Sequence, residues 1–193
     1  MPALILASTS PYRAALLQRL GVPFTTAAPH CDERAVPGET VSAQVVRLAR
    51  MKAESVADTQ PAGMLVLGSV QLAERDGTAV GKPGDHAVAR TQLCAGSGRE
   101  LVFHTAWCLL EAPAGRSWAG LDRTLVRLRA LDEATIERYL TIERPYDCAG
   151  SFRSEGLGIA LFESITSQDP TALVGLPLIA VAAALRAAGL AVP

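Results

Sequence analysis

The sequence predicts an α/β protein, a mixed, twisted β-sheet flanked by helices, and three features predict it. Short apolar runs ending in small polar residues alternate with helical spacing in the amino-terminal part, as in Leu4–Ala7 before Ser8-Thr9-Ser10. Two long runs of strand character, Leu101–Leu110 and Trp118–Arg129, flank Pro113-Ala114-Gly115 and read as an antiparallel hairpin. The last helical stretch, Pro177–Ala188, is rich in Ala and Leu and apolar enough to pack on a sheet. Two lobes around a cleft would suit this order of elements.

Each element has its own local reason. After the strand Leu4–Ala7, Ser10 is a good N-cap and Pro11 a good first helical residue; Ala15, Leu16, Leu17 and Leu20 form an apolar face ending at Gly21. From Thr40 to Val56 a stripe of Val41, Val45, Leu48, Ala49, Lys52 and Val56 predicts a helix with Lys52 near its buried side. Met64–Gly68 is a short apolar strand, and Ser69-Val70-Gln71-Leu72 is expected at or beyond its carboxyl end. Arg75-Asp76-Gly77-Thr78 is a turn into the next strand. Asp85–Ala95 has helical spacing, and Asp132 caps a helix through Ile142 with Glu133 in its first turn. Phe103, Trp107 and Trp118 alternate with polar residues and are expected to pack on the sheet.

Composition narrows the function. The 193 residues, 49% of them hydrophobic, suit one domain with a real core, expected to span 1–193. Eighteen basic against nineteen acidic residues give a net charge of −1, which leaves no field to hold a nucleic acid but allows a small anion gripped by a few cations. Cys31, Cys94, Cys108 and Cys148 lack any Cys-x-x-Cys spacing, so reduced, mostly packed thiols are expected. No signal peptide or membrane-spanning run stands out, and a cytoplasmic protein is expected.

Several short segments could carry chemistry. Ser8-Thr9-Ser10-Pro11-Tyr12-Arg13 sets hydroxyls and a cation around a helix start, where free N–H groups and the helix dipole favour an anion such as phosphate. The hexapeptide alone reads more readily as an ordinary N-cap followed by a solvent-facing arginine. Gly81-Lys82-Pro83 fixes a lysine between backbone punctuators. In His30-Cys31-Asp32-Glu33-Arg34 no companion pair completes a soft-metal site, whereas Glu33 suits a hard, oxygen-ligated cation. Cys148–Gly158 combines three glycines with Arg153 and Glu155, as a structural loop or a functional one would.

Together these blocks resemble the Maf family of nucleotide pyrophosphatases, and within it the YceF-type branch. The resemblance runs in order from Leu6-Ala7-Ser8-Thr9-Ser10-Pro11 with Arg13, through Asp32-Glu33, Lys52-Ala53, Gly68-Ser69 with Gln71, Gly81-Lys82-Pro83 and Cys148-Ala149-Gly150-Ser151-Phe152 with Glu155-Gly156, to Asp169-Pro170 and Val174-Gly175-Leu176-Pro177. It implies two lobes around a nucleotide-binding cleft and a metal-dependent hydrolase, with Mg2+ or Mn2+, that cuts a nucleoside triphosphate between the α and β phosphates. The Ser-Phe-Arg-Ser-Glu-Gly form implies 7-methyl-GTP as substrate. By matching position, Ser8, Arg13, Lys52 and Lys82 would grip phosphates, Glu33 would help hold the cation, and Tyr12, Gln71 and Glu155 would choose the base. A homodimer is also implied.

One position departs from the family pattern. The Gly-Ser-Asp-Gln block of the family supplies an aspartate as general base and metal neighbour, and Val70 stands at that place. Valine neither accepts a proton nor binds a cation, and loss of a general base removes a factor of about a hundred to ten thousand in rate. Two functional readings follow: a pyrophosphatase impaired at Val70, or a catalytically inactive nucleotide-binding regulator, for which the resemblance to the family implies a link to cell division.

Overall fold

The structure is a computed structural model and describes residues 3–113 and 115–193. Its strands are β1 (Leu4–Ala7), β2 (Phe24–Ala27), β3 (Leu65–Arg75), β4 (Thr78–Val80), β5 (Glu100–Glu111), β6 (Ser117–Leu128) and β7 (Phe162–Thr166). Its helices are α1 (Pro11–Gln18), α2 (Val41–Ala57), α3 (His86–Gly96), α4 (Glu133–Glu143) and α5 (Leu178–Ala187). The strands form one sheet in the order β2-β1-β3-β5-β6-β7, with β4 paired to β3. β1 lies parallel to both β2 and β3, while β3–β4 and β6–β7 are antiparallel, so the sheet is mixed as the sequence predicts. The chain divides into two compact units: residues 1–71, 105–122 and 169–193 form the first, and residues 72–104 and 123–168 the second.

In the first unit β1 and the first part of β3 are buried on both faces. Leu4 and Leu6 of β1 and Leu65 and Leu67 of β3 enter a cluster with Leu17 of α1 and Val181 and Leu185 of α5. The alternate residues Ile5, Ala7 and Val66 enter a second cluster with Ala53, Val56 and Ala57 of α2. This is the period-two alternation of a strand sandwiched by helices. Gly68 is required by that packing: a Cβ there would collide with the Ala49 carbonyl and stand 2.8 Å from the Ala53 nitrogen. α2 therefore rides against β3 at the turn that carries Lys52.

Capping residues set the helix starts. Thr40 accepts from the Ala43 N–H at 3.2 Å, Asp85 from Val88 at 2.9 Å and Asp132 from Thr135 at 2.7 Å, each at the expected boundary. α5 begins after Pro177, and its first N–H groups are met from a distance. The Leu178 N–H donates to Thr171 Oγ1 at 2.8 Å and the Ile179 N–H to Asp169 Oδ2 at 2.7 Å. The second unit packs Phe103, Phe152 and Phe162 in a row, with ring centroids 5.3 and 4.7 Å apart, and joins α3 to α4 through Arg90–Glu133 and Arg90–Glu137 ion pairs.

Several expectations are corrected. β3 runs on to Arg75, so Val70 lies inside an eleven-residue strand, and is not just past a short one ending at Gly68. The polar residues that suggested an end are satisfied across the fold. Ser69 Oγ reaches the Ala106 and Gly175 carbonyls, and the Gln71 amide reaches the Ala172 and Leu173 carbonyls. β2 and β7 have mostly exposed or half-buried residues and little apolar signal, which is why the pattern passed them over. Ala114, part of the expected hairpin turn, lies outside the described residues. Phe103 and Trp107 are buried as expected, whereas Cys94 is exposed.

Candidate nucleotide site

The first unit gathers Ser8, Arg13, Lys52 and Glu33. The turn from β1 to α1 folds back on itself: the Ser8 N–H donates to the Leu6 carbonyl at 2.9 Å and Ser8 Oγ accepts from the Ser10 N–H at 3.1 Å. Ser10 in turn caps α1, accepting from the Arg13 N–H at 3.4 Å. The Arg13 guanidinium is held at two points, donating through Nε to the Gly175 carbonyl at 3.0 Å and through Nη1 to Ser8 Oγ at 3.4 Å. Burial pulls its pKa down to about 10, and the Glu33 carboxylate opposes that shift. Arg13 thus carries its charge at neutral pH beside a helix start. The alternative of an N-cap followed by a solvent-facing arginine does not describe this side chain.

Lys52 projects from α2 with only 12% of its side chain exposed, and its Nζ lies 2.8 Å from Glu33 Oε1. A lysine near the buried side of the helix is what the stripe predicts. Glu33 is itself exposed, on a stretch anchored by the Arg47–Glu39 ion pair at 2.7 Å and by a bond from Arg47 to the Arg34 carbonyl. Tyr12, half-buried, precedes Arg13 on α1. Val70 is 4% exposed. Strand alternation sets it on the face of β3 that Gly68 presents to α2, while Ser69 and Gln71 face the 172–175 segment. The Gln71 amide nitrogen is committed to Thr105 Oγ1 and two carbonyls.

Lys82 and Glu155 belong to the second unit. Lys82 is exposed and has no hydrogen bond or ion pair among the described residues, whereas the backbone around it is held. The Gly81 carbonyl accepts from Gln92 Nε2 at 3.2 Å, and the Gly84 N–H donates to the Tyr146 carbonyl at 2.9 Å. Glu155 is exposed and accepts from Ser154 Oγ at 2.7 Å. Just before it, Gly150 and Ser151 both take positive φ, +74° and +63°. A Cβ on Gly150 would meet Phe103 at 3.1 Å, so glycine is needed there for space as well as conformation.

The donor set bears on the cation that the resemblance implies. Among the described residues no three His, Cys, Asp or Glu side chains come together as a metal site. Among the described residues Glu33 is the carboxylate paired with Lys52 and in electrostatic reach of Arg13. Magnesium is commonly held by one or two carboxylates plus substrate phosphates, so one carboxylate fits a cation that arrives with a triphosphate and does not fit a resident one. Reasoning from the sequence did not find the roles of Thr171, Gln92 and Tyr146. Asp169-Pro170-Thr171, an acceptor pair ahead of a helix without its own capping side chain, was the one usable signal.

The fold and site define a class. The family model described as Maf-like protein matches residues 3–188, and the chain belongs to the Maf family. The relatives carry a more particular description. The chain is 56% identical over 193 residues, all of both chains, to a protein of Xanthomonas oryzae pv. oryzae named 7-methyl-GTP pyrophosphatase. Proteins of the same name from Burkholderia lata and Ralstonia nicotianae are each 53% identical, over 97% and 96% of this chain and 90% and 95% of their own. No helix of the described residues is long and apolar enough to cross a membrane.

Proposed function

We propose that the protein hydrolyses the α–β phosphoanhydride of 7-methyl-GTP, releasing 7-methyl-GMP and pyrophosphate, and that Val70 makes it slow. Full-length identity to relatives named for that activity is the observation that carries the proposal. The chemistry of the first unit supports it. Arg13 and Lys52 supply two cations near the α1 start, where a triphosphate gains charge-assisted hydrogen bonds. Lys82 would be a further phosphate contact on this reading, by the position it matches in the family pattern. In the reaction a water oxygen bonds the α phosphorus, the bond from that phosphorus to the bridging oxygen breaks, and the electron pair leaves with pyrophosphate. Arg13, Lys52 and Lys82 would stabilise the charge that develops on the phosphate oxygens. The water must also lose a proton, and valine cannot take it.

A divalent cation, Mg2+ or Mn2+ held by Glu33, would supply neutralising charge to the bound triphosphate. Glu33 would have to exchange Lys52 for it, and Lys52 would then be released to a phosphate oxygen. For the base, Tyr12 offers an aromatic face to the cationic 7-methylguanine ring and Glu155 an acceptor for guanine's N–H donors. Gln71, its amide nitrogen committed, would meet the base through Oε1. The test is product release with 7-methyl-GTP, GTP, UTP and dTTP in the presence of Mg2+ or Mn2+. The proposal expects the highest kcat/KM for 7-methyl-GTP, and equal values for UTP would overturn it.

A second reading, a nucleotide-binding regulator linked to cell division, is favoured by one observation, the buried valine at position 70. It expects nucleotide binding without turnover even at high enzyme concentration. A cytoplasmic homodimer is part of the first reading, and sedimentation of a monomer near the 20.2 kDa chain mass at micromolar concentration would contradict the dimer.

A further inference from the structure

Ser151 is fully buried and is not a glycine, yet its φ is +63°. Such a conformation costs free energy for any residue with a Cβ, and it persists where neighbouring groups hold it. The holder here is Gln92 of α3, whose Oε1 accepts from Ser151 Oγ at 2.5 Å. The other end of the same amide donates from Nε2 to the Gly81 carbonyl at 3.2 Å. A carbonyl can only accept, so the amide nitrogen must face Gly81 and its oxygen must face the serine. The Gln92 backbone is tied as well, its carbonyl accepting from Arg75 Nη1 at 3.3 Å.

One side chain therefore joins two loops. Gly81 precedes Lys82, the exposed cation, and Ser151 leads through Phe152 and Arg153 to Glu155, the exposed carboxylate. We propose that Gln92 is a positioning residue: it fixes the loop that presents Lys82 to phosphate against the Ser151 turn that leads to Glu155. The proposal rests on the reading of Lys82 as a phosphate contact. Gln92 touches no substrate itself. It acts because a lysine on a clamped backbone loses less freedom on meeting a phosphate than one on a loose loop.

The test measures the Kd of 7-methyl-GTP and of 7-methyl-GMP by calorimetry on the full chain, and takes their ratio as the triphosphate preference. Gln92→Glu keeps an acceptor for Ser151 but sets a carboxylate oxygen against the Gly81 carbonyl. Ser151→Gly removes the hydroxyl while relieving the left-handed backbone, so it should not destabilise the fold. Lys82→Ala should lower the preference about tenfold. Gln92→Glu and Ser151→Gly should each lower it about threefold, the latter with little change in Tm. Gln92→Glu combined with Lys82→Ala should lower it no further than Lys82→Ala alone. If Lys82→Ala loses preference while Gln92→Glu and Ser151→Gly keep it, the positioning role is wrong and the phosphate reading stands. If Lys82→Ala keeps its preference, the phosphate reading fails and the positioning role with it. Additive losses in the double variant would also overturn the proposal.

Discussion

The two units present their cations differently. In the first, Lys52 is already paired with Glu33 at 2.8 Å and Arg13 already bonds the Gly175 carbonyl and Ser8. In the second, Lys82 stands exposed without a partner among the described residues, on a backbone held at Gly81 and Gly84. A phosphate meeting the first set must replace bonds or add to them. A phosphate meeting Lys82 finds an uncompensated charge on a fixed support. The first arrangement keeps buried or half-buried charges satisfied while no ligand is bound, and the second needs no such provision because water does it.

The largest effect on binding should come from Arg13→Ala. It removes a cation and leaves the Gly175 carbonyl and Ser8 with one donor fewer, so triphosphate binding should weaken about a hundredfold and Tm should fall. Calorimetry and thermal unfolding read both, and a loss of binding with unchanged Tm would make the two cations alike after all. Lys82→Ala comes next, with binding weakened about tenfold and Tm unmoved, since its side chain is exposed and makes no hydrogen bond or ion pair among the described residues. The smallest effect is expected for Glu33→Gln. With the pair to Lys52 broken, metal-free triphosphate binding should tighten about twofold to threefold. The gain from added Mg2+ should disappear, and calorimetry with and without Mg2+ checks both signs.

Much of this was legible in the sequence where local rules act alone. Thr40, Asp85 and Asp132 mark helix starts because an N-cap is a contact across three residues. Arg13 and Lys52 were readable as charges near a helix start and a buried face. What local pattern could not supply is any bond made far along the chain. Ser69 and Gln71 look like the end of a strand until their partners near Gly175 and Ala172 are known. The α5 cap comes from Asp169 and Thr171, and Gln92 reaches Ser151, 59 residues further along the chain, with nothing in its own surroundings to mark it.

Val70 carries the central claim. It is buried at 4% exposure on the face of β3 turned to α2, the helix that carries Lys52. Val70→Asp should lower Tm by a few degrees, because a nearly buried carboxylate lacks a partner, and Mg2+ with nucleotide should restore it. The direct measurement is pyrophosphate release by the two forms at saturating 7-methyl-GTP and Mg2+. The account predicts turnover about a hundred to ten thousand times faster for Val70→Asp, with binding of 7-methyl-GTP changed little. Turnover by the valine form at about one per second or more would contradict it, since another group would then be taking the proton.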